Sequence, residues 1–156
     1  MKMKEDAHAK VNVKYVGRDK NGKIIYEHES HNVVCDLYYD LVADRLTGGT
    51  DALLTHGHAG TGTGQGATDT NLATPCEENR TAVDSSTQGS GGNEHKIVVV
   101  FTLGAGVCTG NLQECGIFSD LTYTTADMKL YDDSLSYDKP AGGTLEVTWT
   151  ITNANS

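Results

Sequence analysis

Apolar and polar residues alternate over Val11-Asn12-Val13-Lys14-Tyr15, which puts Val11, Val13 and Tyr15 on one face of a half-buried strand. Asp19-Lys20-Asn21-Gly22-Lys23 follows, and Asn-Gly between two such runs predicts a hairpin turn. The return strand runs from Lys23 to about Ser30, with the alternation blurred at Ile24, Ile25 and Tyr26. The same period of two recurs at the other end of the chain. Leu145, Val147, Trp149 and Ile151 alternate with Glu146, Thr148, Thr150 and Thr152, the pattern of an antiparallel strand with one face buried.

Between these ends the period changes once. Leu37, Leu41, Val42 and Leu46 fall at helical spacing over residues 33–46, and Gly48-Gly49 supplies a stop. Asn32 or Asp36 is the expected cap, and the helix is expected near residues 35–46. Ile97 to Leu103 is the strongest strand signal, long and β-branched. It is expected to form a hairpin with Arg80 to Val83 across the loop tip SSTQGSGGNEH. Leu112 to Ser119 and Met128 to Tyr131 read as shorter strands. The count is seven or eight strands and one helix. That predicts an all-β antiparallel sandwich, jelly-roll-like, with one short α-helix after the first hairpin. Residues 1–8 read as a charged arm and 9–156 as a single domain. The expected core includes Leu41, Val98, Val100, Phe118, Val147 and Trp149.

Composition agrees with a turn-rich β fold, with 18 Gly and 2 Pro in 156 residues. The net charge of -9 argues against a nucleic-acid or anionic-membrane surface, because phosphate binding needs clustered cations. No apolar run approaches the ~18 residues of a membrane span, and MKMKEDAHAK lacks the apolar stretch of a secretory signal.

Candidate chemistry is sparse. Gly60-Thr61-Gly62-Thr63-Gly64-Gln65-Gly66 lacks the Lys of a phosphate loop and the strand–helix context of a dinucleotide fingerprint. It reads as backbone that turns sharply or packs closely. His56 and His58 share a face if they lie on a strand, and with His28, His31 or His95 they make a metal candidate; the alternative is ordinary hydrogen-bonded histidines. Cys35, Cys76, Cys108 and Cys115 contain no CxxC pair. Cys108 and Cys115 either join as a disulfide across a hairpin or remain free thiols in apolar sites. There is no GxSxG elbow, and Glu77-Glu78 and Asp132-Asp133 read as solvated turns, so the residues predict no enzyme and no cofactor.

The order of the segments resembles a group of small tailed-bacteriophage virion proteins. Gly60-Thr61-Gly62-Thr63-Gly64 with Ala67-Thr68-Asp69-Thr70-Asn71-Leu72 is similar to the group's "GTGT…ATDTAL" stretch, which an acidic residue and an Arg follow, as Glu77, Glu78 and Arg80 do here. Val99 to Gly106 looks like "FTATFGAGE", Leu112 to Phe118 like "IREVGLF", and Gly142 to Thr152 like "GDTLTVTWTIT". An opening hairpin, His31-Asn32-Val33-Val34 and the helix end LVADRLTGG precede them in the same order. The cysteines flanking the helix and the histidine pair depart from the group.

The resemblance implies a structural protein of the virion, made in a bacterial host cytoplasm. Its expected role is capsid decoration (cement), binding the major capsid protein or other virion proteins from the outside. The alternatives are a tail, neck or baseplate adaptor anchoring a fibre, and a non-viral ligand-binding β-sandwich. A fibre protein continues into a long repetitive shaft, whereas this sequence ends just after its last strand, which favours decoration. The resemblance also implies self-association as a trimer. The expected contacts are the N-terminal arm (Met1, Lys2, Lys4, Glu5) and the glycine segment (Gly60, Gly62, Gly64).

Overall fold

A computed structural model describes residues 9–153; the expected arm, residues 1–8, lies outside the described residues. The described residues are mostly β, with 43% strand, and every strand pairing among them is antiparallel. The hairpin arms are β1 (Lys10–Arg18) and β2 (Ile24–His31). Gly22 takes a φ of +82°, and the Asp19 carboxylate accepts from the Asn21 and Lys23 amides at 2.8 and 3.0 Å, which is the turn that Asn-Gly predicts.

The short β3 (Val33–Val34) leads into α1 (Asp36–Leu46). Neither Asn32 nor Asp36 caps the helix. Cys35 stands at the cap without a side-chain bond, and the amides of Cys35 and Asp36 donate instead to the Lys129 and Ala67 carbonyls at 3.0 and 2.8 Å. Tyr38 and Leu41 form the buried face, while Leu46, which fits the same stripe, is 82% exposed. Gly48, at φ +84°, ends the helix as expected.

The remaining strands are β4 (His56–Gly60), β5 (Thr81–Ala82), β6 (Ser85–Gln88), β7 (Lys96–Leu103), β8 (Gly110–Leu112), β9 (Glu114–Phe118), β10 (Leu130–Asp132), β11 (Tyr137–Lys139) and β12 (Thr144–Thr152). The first sheet has the order β2-β1-β12-β7-β6, the second β3-β10-β9-β4-β5, and β11 pairs with β8 in a third, two-stranded sheet. The terminal strand therefore lies in the middle of the first sheet. Val11, Val13 and Tyr15 stand opposite Ile151, Trp149 and Val147. All six side chains are buried, as the alternation at both ends of the chain requires.

The sheet pairing corrects several expectations. The hairpin partner of β7 is β6, with Ser86 opposite Val99; residues 81–82 pair instead with β4 in the second sheet. A run of five β-branched and aromatic residues, Ile97 to Phe101, carries no phase, and the burial phase is the opposite of that expected. Val99, Phe101 and Leu103 are fully buried, whereas Val98 and Val100 are only half-buried. Leu112 to Ser119 is not one strand. The chain breaks at Gln113, whose amide donates to the Gly60 carbonyl at 2.9 Å, and continues in a different sheet.

One core takes side chains from both large sheets and the helix, including Trp149, Phe101, Ile117, Leu130 and Leu41. The approach of the sheets is close. A Cβ on Gly57 of β4 would land in the Phe101 ring of β7. Every residue of β9 is buried, so this strand is covered on both faces. Cys115 and Ile117 face the main core, and Phe118 packs with Cys35, Leu72, Met128 and Tyr131 in a second, smaller cluster.

Candidate functional site

That second face is covered by the segment 61–75, and its anchor is Glu114. Glu114 is fully buried, an unusual position for a lone carboxylate. Its Oε1 accepts from the amides of Gly62 and Thr74 at 3.2 and 2.7 Å, and its Oε2 from the Ala73 amide and the Tyr131 hydroxyl at 2.9 and 3.0 Å. Charge-assisted bonds of this kind compensate the cost of burying the carboxylate.

The glycines are required by this close wrapping. A Cβ on Gly60 would run into the Thr74 carbonyl and the Glu114 carboxylate, and one on Gly62 would meet Ala73 and Thr74. Gly64 has open space but a φ of +91°, and its amide donates to Asp133 at 3.0 Å. Gly60 is buried, so it is not itself a contact surface; Thr61, Thr63 and Gly64 form the exposed rim of the segment.

Arg80 is the second anchor, 2% exposed with its guanidinium 3.6 Å from the centre of the Phe118 ring. It donates to the carbonyls of Thr125 and Asp120 at 2.6 and 3.2 Å and to the Asn71 side chain at 3.3 Å. Asn71 in turn donates to the Tyr123 carbonyl at 3.0 Å. Residues 71–80 and 120–125 are thus tied over Phe118. A charged residue at an inward position of an apolar strand, as in Leu112-Gln113-Glu114-Cys115-Gly116-Ile117-Phe118, is the signal that points to Glu114. Sequence reasoning passed over both anchors as candidates.

His56 and His58 lie opposite Phe118 and Gly116 on β4, so they do share a face. Their environments differ. His56 Nδ1 is 2.8 Å from the Thr55 hydroxyl. His58 is fully buried, with Nε2 at 2.9 Å from the Cys76 carbonyl and Nδ1 at 4.0 Å from Cys108 Sγ. Burial lowers the pKa of both imidazoles; for His58 the bond to the Cys76 carbonyl opposes the shift.

Cys108 and Cys115 do not come together as a disulfide; all four cysteines are free. The two flank β8 rather than facing each other across a hairpin, because β8 pairs with β11 and β9 lies in the second sheet. Cys115 sits against Tyr15, whose hydroxyl donates to Asp132 at 2.5 Å. Cys108 instead joins Cys76 and Glu78, whose ligand atoms all lie within 4.8 Å of one another. The Cys108 amide and thiol are 3.3 and 3.5 Å from Glu78 Oε2. The buried Lys139 lies close enough to feel all three groups, while its ammonium donates to the Gly104 carbonyl at 2.8 Å.

A cleft of about 390 Å³ opens beside the helix, lined by Asp40, Asp51, Asp120 and Asp127 among others. Its central carboxylate is already engaged, since Asp127 pairs with Lys129 at 2.5 Å and accepts from the Ser119 amide at 2.5 Å. No helix among the described residues is long and apolar enough to cross a membrane. No known protein family, curated protein or solved structure matches the chain.

Proposed function

We propose that this chain is a structural virion protein of a tailed bacteriophage, a decoration protein that binds the outer capsid lattice and catalyses nothing. The observation that carries the reading is the convergence on Glu114. The glycine–threonine segment, the Leu112 to Phe118 strand and Arg80, which carry the resemblance separately in the sequence, fold into one interlocked unit. Their motif residues serve architecture, and this fits a protein whose product is a surface. In this reading the two large sheets form a jelly-roll-like sandwich. The molecule is a trimer, and the arm at residues 1–8 together with the rim at Thr61, Thr63 and Gly64 makes the contacts. A modest interface repeated by symmetry gains strength through avidity. The net charge of -9 directs the bound face toward protein rather than the packaged genome.

The test is mass spectrometry of gradient-purified particles from a host producing this chain, followed by gold labelling of a tagged copy. Peptides of the chain at fixed stoichiometry, with label on the head, are the expected result. Label confined to the tail would replace decoration by the fibre-adaptor role. Absence from purified particles would overturn the virion reading altogether.

A further inference from the structure

We propose that Cys76, Glu78 and Cys108, with His58 as the fourth ligand, form a zinc site that clamps the 61–80 segment to the loop after β7. The site is independent of the virion reading. Three donors of the right chemistry meet within 4.8 Å of one another, and His58 Nδ1 stands 4.0 Å from one of them, Cys108 Sγ; the four come from three separate parts of the chain. His58 comes from β4, Cys76 and Glu78 from the segment leading to β5, and Cys108 from the β7–β8 loop.

A tetrahedral zinc shell with the usual zinc–sulfur, zinc–nitrogen and zinc–oxygen bond lengths has ligand–ligand edges of about 3.3–3.8 Å. Cys108 Sγ lies 3.5 Å from Glu78 Oε2 and 4.0 Å from His58 Nδ1. Cys76, Glu78 and Cys108 are already within 4.8 Å of one another, and a shift of His58, whose Nδ1 lies outside that group but beside Cys108, brings in the fourth ligand.

The tautomer of His58 is set for this role. Nε2 faces the Cys76 carbonyl, which only accepts, so the proton sits on Nε2 and the Nδ1 lone pair is left for a metal. A ligand histidine held through its other nitrogen by a carbonyl is the usual outer-shell arrangement of zinc sites. Cys108 is also the one non-glycine residue among those described with positive φ, at 48°. That backbone conformation is unfavourable for an L residue and aims the thiol toward Cys76 and Glu78.

Two thiolates, a carboxylate and a dication sum to one negative charge, and the buried Lys139, whose ammonium donates to the Gly104 carbonyl of the same loop as Cys108, puts a positive charge on that side of the fold. Paired thiolates with an imidazole favour zinc over the hard cations that carboxylates alone would take. The cation binds as the two thiols release their protons to solvent.

The test uses the full chain, kept reduced, titrated with Co²⁺ as a spectroscopic stand-in and then with Zn²⁺. The expected result is one Co²⁺ per chain, with a thiolate-to-cobalt charge-transfer band that equimolar Zn²⁺ abolishes. Cys76→Ser and Cys108→Ser should each weaken the band to about half and the double variant remove it, whereas Cys35→Ser leaves it unchanged. Glu78 is exposed, so Glu78→Gln keeps the fold; it should lower Zn²⁺ affinity about tenfold or more. A reduced, folded wild-type chain that takes up no cobalt overturns the proposal. So does a band that survives in the double variant, or a reduced chain that only forms a Cys76–Cys108 disulfide in air without binding metal beforehand.

Discussion

Removing the Glu114 carboxylate tests the organisation of the covered sheet face most directly. In Glu114→Ala, three amides and the Tyr131 hydroxyl lose their acceptor. A hydrogen bond to a charged group is worth ~1.5–3 kcal/mol, and a buried donor left unsatisfied costs ~1–3 kcal/mol. The four do not add in full. Ala73 and Thr74 are exposed and regain water, whereas Tyr131 is 1% exposed and Gly62 half-buried. Relief from burying a carboxylate offsets part of the loss. The net expectation is about 3–5 kcal/mol, or a fall in Tm of roughly 6–20 °C for a chain of this size. Glu114→Gln keeps the shape and one acceptor but turns a donor toward Ala73 N, so it should cost about 1–3 kcal/mol. Urea unfolding followed by the fluorescence of the single tryptophan, Trp149, gives the stabilities. Hydrogen exchange at Gly62, Ala73 and Thr74 gives the local effect, with protection lost in the Ala variant. A loss below about 1 kcal/mol in Glu114→Ala, or unchanged protection of those amides, would refute the anchoring role.

Four further outcomes are expected. Trp149→Ala should cost ~3–5 kcal/mol, and Val99→Ala should cost clearly more than Val98→Ala in the same urea assay, because only Val99 is fully buried; equal losses would contradict the observed phase of β7. Gly57→Val should be worse than Gly64→Val, about 3 kcal/mol or more against about 1–2, since the first drives a side chain into Phe101 and the second only strains a φ of +91° in open space; the reverse order would deny the close approach of the two sheets. Stability should fall at alkaline pH. Burial pushes the Cys35 thiol up to about 12 and raises Tyr15 and Cys115 well above their ordinary ranges, so the unfolded chain releases these protons first. The contribution is complete below the unfolded thiol value of ~8.5 and is lost as pH rises from there toward the folded values, and a urea midpoint that stays flat from neutral pH to about 10.5 would sink the account.

The local signals in the sequence were sufficient for the all-β class, the Asn21-Gly22 turn, the helix and the inward faces of β1 and β12. Each rests on a period or a turn preference contained within a few residues, and the backbone obeys it wherever no distant partner competes. The half of the fold that depends on distant partners was not legible. Ile97 to Leu103 is apolar at nearly every position, so which of its faces is buried depends on the sheet packed against it, and Phe101 was chosen by the space at Gly57. Gly60 and Gly62 read as conformational freedom in the sequence; in the fold they are closeness, because Glu114 lies more than fifty residues away along the chain. The same holds for the cysteines. Spacing left Cys108 either bridged to Cys115 or a free thiol; a break at Gln113 sends the two into different sheets, so both are free, and leaves Cys108 beside Cys76, Glu78 and His58. Periodicity reports which way a side chain points relative to its own element; which groups it meets is decided by how the elements close on one another, and the candidate site is made entirely of such meetings.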